Sequence, residues 1–257
     1  LFRQSRRLNG TLLLPKRKSQ VRTQPVTSLS LLYKQAAGLQ PLATDKVKQW
    51  AAASRARLPV TKPEECGELS EGARTAGGFV PGSGIGSRAS MASTTSFTSC
   101  GGQGAAAGDT LELWEELEGD AEKEARVRWP GLKKPERAIE KLVRTYGGKV
   151  CLLQDLVRYS LVFDKAAELV CCLQAIAADP EVQIVEVKNR LRLDYDPWKS
   201  GGYRNVHLNL LLRSPLSELL GVDKHVFELQ LQLEPFARCK SAGGHARYVA
   251  FRNVLCM

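Results

Sequence analysis

The sequence predicts an α+β fold, a mixed β-sheet flanked by helices, preceded by a largely disordered N-terminal segment. Three observations predict it. Two stretches near the C-terminus alternate aliphatic and polar residues with period 2, as half-buried strands do. Three stretches before and between them repeat apolar residues at helical spacing, and they end at Gly or Pro. Charge and small residues are distributed unevenly: residues 1–110 carry 15 Lys+Arg against 6 Asp+Glu, while residues 111–257 carry 22 against 21. The basic balance of the chain therefore belongs to its N-terminal part and says little about what the C-terminal part binds.

The clearest strands are Tyr203–Leu212 and His225–Leu233. In the first, Val206, Leu208, Leu210 and Leu212 share one side, and Tyr203, Asn205, His207 and Asn209 the other. In the second, Phe227, Leu229, Leu231 and Leu233 oppose Val226, Glu228, Gln230 and Gln232. Each strand is expected to bury its aliphatic face under helices and to present the polar one. A solvated sheet face usually carries Lys, Glu, Thr and Ser. The Tyr, His, Asn and Gln here favour a ligand face, because they stack and hydrogen-bond directionally. Residues 155–163 and 182–190 read as two further strands. Asp164 is placed at the head of a helix through Leu169, Val170, Leu173 and Ile176 that ends at Asp179-Pro180.

Upstream, Pro135 opens a helix through Ile139, Leu142, Val143 and Tyr146 that stops at Gly147-Gly148. Asp109 and Glu112 sit at capping-box spacing ahead of Leu111, Trp114, Leu117 and Ala121, which predicts another helix from about 110 to 121. Order is expected to begin at residue 109. Residues 76–108 are dominated by Gly, Ser, Ala and Thr and read as a linker. Residues 1–75 read as a basic segment with little order. Within it, residues 1–44 contain eight basic residues and no acid. That composition suits a transit-type targeting segment, with a plastid or other organelle as destination, or more simply a basic tail of an intracellular, cytoplasmic protein. After Pro235 a helical stretch is broken at Gly243-Gly244 and resumes with His245, Tyr248 and Phe251.

Several functions are disfavoured. The seven cysteines form no C-x-x-C pair, so neither a disulfide framework nor a finger-type zinc site is expected. No apolar run approaches the roughly 18–20 residues of a membrane span. No glycine-rich Walker or dinucleotide motif is present outside the linker. The histidines are His207, His225 and His245, so no histidine-rich metallohydrolase lies upstream of position 207. Asp155 and Glu228 interrupt apolar strands, and two such carboxylates can hold Mg²⁺ beside a phosphate, although a cap and a surface ion pair are the simpler reading. Lys133, Lys134, Arg137, Lys141 and Arg144 form a basic helix stripe, and Lys188 ends a strand. Nucleic acid is not expected as a partner except through the basic tail, and a homo-oligomer is open.

Taken in order, four segments resemble the synthetase domain of the RelA/SpoT family, which makes the alarmone nucleotides (p)ppGpp. Asp155-Leu-Val-Arg-Tyr-Ser-Leu-Val is similar to the family's D-hydrophobic-x-G-I-R-I-V strand. Pro197-Trp-Lys-Ser-Gly-Gly-Tyr203-Arg-Asn-Val-His207 is similar to P-K-x-x-G-Y-x-S-hydrophobic-H. Phe227-Glu228-Leu-Gln230-Leu resembles V-E-I-Q-I, and His245-Ala-Arg-Tyr248 resembles the H-x-x-Y helix. The resemblance covers about residues 129–253. It implies a nucleotidyltransferase-like fold and Mg²⁺-dependent transfer of pyrophosphate from ATP to the 3′-hydroxyl of GDP or GTP. It further implies Asp155 and Glu228 as metal ligands, Glu228 alternatively as base, and Tyr203 stacked on guanine. His207, Gln230 and His245 would contact the acceptor or organise the site. Lys134, Lys141, Arg137 and Lys188 would hold phosphates. Two departures stand out: Ser160 replaces an arginine of the family strand, and Leu132 replaces a basic residue. A second reading is therefore a catalytically inactive nucleotide-binding or regulatory module on the same fold.

Overall fold

The computed structural model describes residues 24–61 and 110–239, together with Phe251. Thirteen main elements are described: α1 (Leu29–Ala52), β1 (Arg57–Val60), β2 (Thr110–Leu113), α2 (Trp114–Leu117), α3 (Ala121–Ala125), α4 (Pro135–Tyr146), β3 (Arg158–Phe163), α5 (Ala166–Ala178), β4 (Val182–Asn189), β5 (Val206–Leu212), α6 (Pro215–Leu219), β6 (Phe227–Leu233) and α7 (Glu234–Arg238). The strands form one sheet in the order β2-β1-β3-β6-β5-β4. Only β3 and β6 run parallel; their neighbours are antiparallel. The fold is thus α+β with a mixed sheet and flanking helices, as expected.

Cross-strand register keeps the two faces of the sheet apart. Leu208 pairs with Leu229, Leu210 with Phe227, and Leu161 with Leu231, so one face is aliphatic across β3, β6 and β5. Helix α5 packs on this sheet through Leu169, Cys172, Leu173 and Ile176. Helix α1 covers more of it. Its buried residues Leu32, Ala36, Leu39, Ala43, Val47 and Trp50 fall on one stripe, spaced by three or four. The Ser28 hydroxyl caps its first turn.

This helix is the main correction to the sequence reading. Residues 24–61 were assigned to a basic segment outside the domain, yet they contribute a 24-residue helix and a strand to the same core. The stripe is hidden by its own composition: two of its members are alanine, Gly38 and Pro41 interrupt the helix-forming run, and Lys46 and Lys48 flank it with polar charge. Packing does not demand the glycine, since a Cβ at Gly38 would meet Val222 Cγ1 at 3.5 Å, an ordinary van der Waals contact. Residues 1–23 and 62–109, the latter containing the expected linker 76–108, lie outside the described residues.

The second correction follows from the first. Residues 110–113, expected to open a helix, form β2 instead and pair with β1 from Arg57↔Leu113 to Val60↔Thr110. A four-residue strand is too short to display period 2, and its partner lies in the segment that was set aside. Helices resume only as the short α2 and α3, the latter capped by Asp120. Elsewhere the differences are small. Helix α4 ends at Gly147 in the left-handed conformation, φ 55°, as expected of a glycine stop. Helix α5 begins after Lys165 rather than at Asp164, whose carboxylate instead accepts from Arg57 at 2.6 Å. The helix after Pro235 is seen as far as Arg238, and His245 lies outside the described residues. Among the described residues no helix is long and apolar enough to cross a membrane.

Side chains on and near α1 fix the segments that lead into the polar face. Gln24 Nε2 donates to the carbonyls of Leu153 and Val226, and its Oε1 accepts from Val226 N, at 2.8–3.1 Å. It thereby staples the approach to β3 to the approach to β6. Tyr33 Oη donates to the carbonyl of Lys133 at 2.5 Å, and Gln40 Nε2 to that of Pro130 at 2.6 Å. Lys48 lies over the rings of Trp114 and Trp129, at 5.3 and 5.8 Å from their centroids.

His225, just before β6, is fully buried, and neither ring nitrogen has a hydrogen bond. Burial pushes its pKa down to about 4. As pH falls from 6.5 towards 4, only the unfolded chain takes up this proton, so stability falls with it. At pH 5 the loss from this group is about 2 kcal/mol relative to pH 7 or above, from an unfolded pKa of about 6.5. Denaturant titrations at pH 7 and pH 5 are expected to show a His225→Leu variant losing about that much less than the parent. An equal loss in both would rule out His225 as the cause. Separately, Leu39→Ala is expected to cost about 2–5 kcal/mol in urea unfolding of the whole chain. An effect under about 0.5 kcal/mol would mean that α1 is not part of the cooperative core.

Candidate functional site

The face of the sheet opposite the aliphatic one is organised as two rows across the strands. Register aligns Lys188 of β4, His207 of β5, Gln230 of β6 and Ser160 of β3 in one row. It aligns Glu186, Asn209, Glu228 and Arg158 in the next. Period-2 alternation in each strand is what keeps eight chemically active side chains on one face. The face is more enclosed than the sequence suggested: Asn209, Glu228 and Gln232 are buried. They are covered by their own hydrogen bonds and by the segment ahead of β3.

The hydrogen bonds run continuously along the face. Tyr203 Oη donates to Gln230 Oε1 at 2.8 Å, and Gln230 Nε2 donates to Glu228 Oε1. Asn205 Nδ2 donates to Tyr203 Oη at 3.2 Å and Arg190 to Asn205 Oδ1 at 2.9 Å, so the tyrosine ring is held at its edge from both sides. Asn209 Nδ2 donates to Gln154 Oε1 at 2.8 Å and to Glu186 Oε2 at 3.0 Å. Its Oδ1 is then the atom facing His207 Nε2 at 3.0 Å. The proton of a neutral His207 therefore sits on Nε2, which also lies 3.8 Å from Glu228 Oε2, and Nδ1 is left as the acceptor.

Asp155 lies in the loop just ahead of β3, close to Glu228, whose amide donates to the carbonyl of Val157 at 3.0 Å. Two ammonium groups converge on one carboxylate oxygen: Lys133 Nζ at 2.6 Å and Lys141 Nζ at 2.7 Å from Oδ2. The other oxygen, Oδ1, is buried and has no hydrogen bond. Burial favours the neutral acid, but the fields of Lys141 and Lys133 overcome it and hold the Asp155 carboxyl well below the usual carboxylate range. The two lysines respond in opposite directions. Lys133, with 10% of its side chain exposed, is lowered by burial despite its partner. Burial works the same way on Lys141, yet with 29% exposed it is raised on balance by Asp155, Tyr146 and Glu228.

The residues expected from the sequence divide into three groups. Asp155, Glu228, Lys141, Tyr203, His207 and Gln230 belong to the polar face or its rim. Lys188 lies in the first row, half-exposed, and pairs with Glu186 at 3.1 Å. Lys134 and Arg137 are not drawn in: Lys134 is the exposed N-cap residue of α4, and Arg137 pairs with Glu140 at 2.8 Å. Lys133 takes the place foreseen for Lys134. The helical stripe gave no means of choosing between adjacent lysines, because both precede Pro135 and neither lies on the helix. Asn209 stands on the polar side with His207, as period 2 predicts, whereas nothing local in the sequence marks Gln154 and Glu186 as its partners.

Oxygen donors fit a hard divalent cation here, since the buried Oδ1 of Asp155 is without a partner and Glu228 faces the same cluster. Among the described residues no group of three or more His, Cys, Asp or Glu forms a metal cluster, so the donors on hand match an ion that keeps much of its water.

No protein-family model and no curated protein matches the chain. Several solved structures align with part of the chain. The small alarmone synthetase 1 from Bacillus subtilis bound to its product pppGpp aligns over 47% of this chain and 59% of that chain, at 17% identity and a TM-score of 0.39. The small alarmone synthetase 2 from Bacillus subtilis aligns over 48% and 61%, at 19% identity and a TM-score of 0.36. A GTP pyrophosphokinase family protein from Streptococcus pneumoniae aligns over 47% and 56%, at 12% identity and a TM-score of 0.34. The chain thus spans about three fifths of the length of these structures.

The Lys133–Asp155 pair sets the stability of the site. Asp155→Ala leaves a buried ammonium without its counter-charge and is expected to cost about 3–5 kcal/mol in urea unfolding at pH 7. The double variant Lys133→Met/Asp155→Leu is expected to recover part of that loss, since the more exposed Lys141 is then the one ammonium of the pair of lysines left without its carboxylate. Equal losses in the single and double variants would show that the pair is not the cause.

Proposed function

We propose that this chain is a divergent nucleotide pyrophosphotransferase that moves the β,γ-pyrophosphate of ATP to the 3′-hydroxyl of GDP or GTP. The observation that carries the reading is the convergence of Lys133, Lys141, Asp155 and Glu228 beside a hydrogen-bonded polar face. Cations for a polyphosphate, acids for a metal and an aromatic ring for a base stand together there. In the reaction the 3′-oxygen bonds to the β-phosphorus, the bridging bond between the α- and β-phosphates breaks, and AMP leaves. Glu228 takes the proton of the hydroxyl, and the Gln230 amide that donates to Glu228 fixes its direction. Lys133 and Lys141 bind the phosphates, and the ring of Tyr203, held at its hydroxyl, offers its face to guanine. Mg²⁺ held by Asp155 and Glu228 would supply charge neutralisation on the phosphate oxygens. Most of the rate in such chemistry comes from positioning and electrostatics.

One observation favours the second reading, a module that binds nucleotide without turning it over. Ser160, at the position of a family arginine, has its hydroxyl engaged by Gln232 Nε2 at 2.5 Å, and Arg158 stands in the other row. The positive charge a transition state would need at Ser160 is thereby absent from that position.

Incubating the whole chain with γ-labelled ATP, GDP or GTP and Mg²⁺ distinguishes these readings. Labelled tetra- or pentaphosphate is expected, with kcat falling about 10²–10³-fold or more in Glu228→Gln and in Asp155→Asn. Binding of both nucleotides without product, lost in Tyr203→Ala, would establish the inactive module. Binding of neither would refute both readings. The fragment beginning at residue 109 is unsuited to this assay, because it lacks α1 and β1.

A further inference from the structure

Asp155, Lys133 and Lys141 form a closed ion-pair triad. Among the described residues Asp155 is the only ion-pair partner of either lysine, and both bond the same oxygen. The remaining oxygen is buried and bare. The group best suited to hold a hard cation thus has two fixed positive charges across it, and Arg158 adds a third nearby, close enough to lower Lys133 further. A free dication approaching Asp155 meets that repulsion at short range in a poorly solvated site. A polyphosphate changes the balance. It offers several anionic oxygens to each ammonium, and a lysine is a point charge on a flexible stem that can follow them.

We infer that the triad makes entry of a divalent cation conditional on a polyphosphate: Lys133 and Lys141 occupy Asp155 at rest, and phosphate oxygens draw them away and leave the carboxylate to the metal. This inference rests on the nucleotide reading above and deepens it. Linkage makes the effect reciprocal, so the cation tightens polyphosphate binding by the same factor. Coupling of this kind usually amounts to about 5- to 150-fold in affinity. A single monovalent anion has a smaller effect than a polyphosphate, because it offsets only one of the two ammonium charges. The rim lysine, Lys141, is the one more free to move, since its side chain is 29% exposed against 10% for Lys133.

The test is titration of Mn²⁺ into the whole chain, with bound metal followed by electron paramagnetic resonance and no turnover needed. Without nucleotide, Lys141→Met and Lys133→Met are each expected to bind Mn²⁺ about tenfold or more tightly than the parent, and Asp155→Asn to abolish that gain in either background. Inorganic tripolyphosphate is expected to tighten Mn²⁺ binding to the parent about 10- to 100-fold beyond its own solution complex. It should have far less effect in Lys141→Met. Thermal unfolding of each variant keeps loss of structure apart from loss of binding. Unchanged Mn²⁺ affinity in both folded lysine variants would overturn the inference, whatever the nucleotide results. A parent chain that fails to bind ATP or tripolyphosphate would instead refute the nucleotide reading, while the lysine variants still report whether Asp155 is blocked.

Discussion

The packing of α1 on the sheet is the constraint from which the rest of the molecule follows. A six-stranded sheet with one aliphatic face needs a broad cover, and the 13 residues of α5 supply only part of it. Helix α1, at 24 residues, is about 36 Å long. Its C-terminal end leads into β1, and its middle approaches the connection between α6 and β6, where Gly38 lies by Val222. Its polar side chains then act at a distance from the core. Tyr33 and Gln40 hold the backbone of the segment that delivers Lys133, and Gln40 and Thr44 engage the Tyr159 hydroxyl of β3. The depth at which Lys133 is buried is therefore a property of a helix more than eighty residues earlier in the chain.

The opposite face shows how a sheet can gather charged and polar groups without leaving most of them unsatisfied. Most residues of the two rows have hydrogen-bonding neighbours set by register, and a continuous chain of bonds runs from Arg190 through Asn205, Tyr203 and Gln230 to Glu228. Such satisfaction makes a buried polar face tolerable and also gives it a single geometry. Arg158 Nε and Gln232 Oε1 are buried without a partner, and so is one oxygen of Asp155. One of its oxygens carries two ion pairs and the other none, an asymmetry that ordinary packing does not require.

The sequence disclosed those parts of the fold whose signal is local. Strand β6 alternates over its seven residues and β5 from Val206 to Leu210, and α4 carries both its proline start and its glycine stop. Residues Asp155, Glu228, Tyr203, His207 and Gln230 were found because they interrupt or line such patterns. The signals that failed are non-local or too brief. The buried stripe of α1 depends on alanines, whose burial shows only against a partner surface. Strands β1 and β2 have four residues each and recognise one another across the linker. The choice of Lys133 over Lys134 is made by a turn, where no periodicity operates.

Strands β1 and β2 have one more consequence. Val60 and Thr110 are paired neighbours, so the chain leaves the sheet and re-enters it at the same place, with residues 62–109 between. The entropy of closing such an excursion grows only with the logarithm of its length, about 0.6 kcal/mol for each doubling. This junction is thus the place where the chain can gain, lose or exchange sequence at little thermodynamic cost, provided the two strand ends still meet. Sequence drift in this family of lengths would be read by the fold as almost nothing, while a single residue change a few positions away in β1 or α1 would be felt throughout the core.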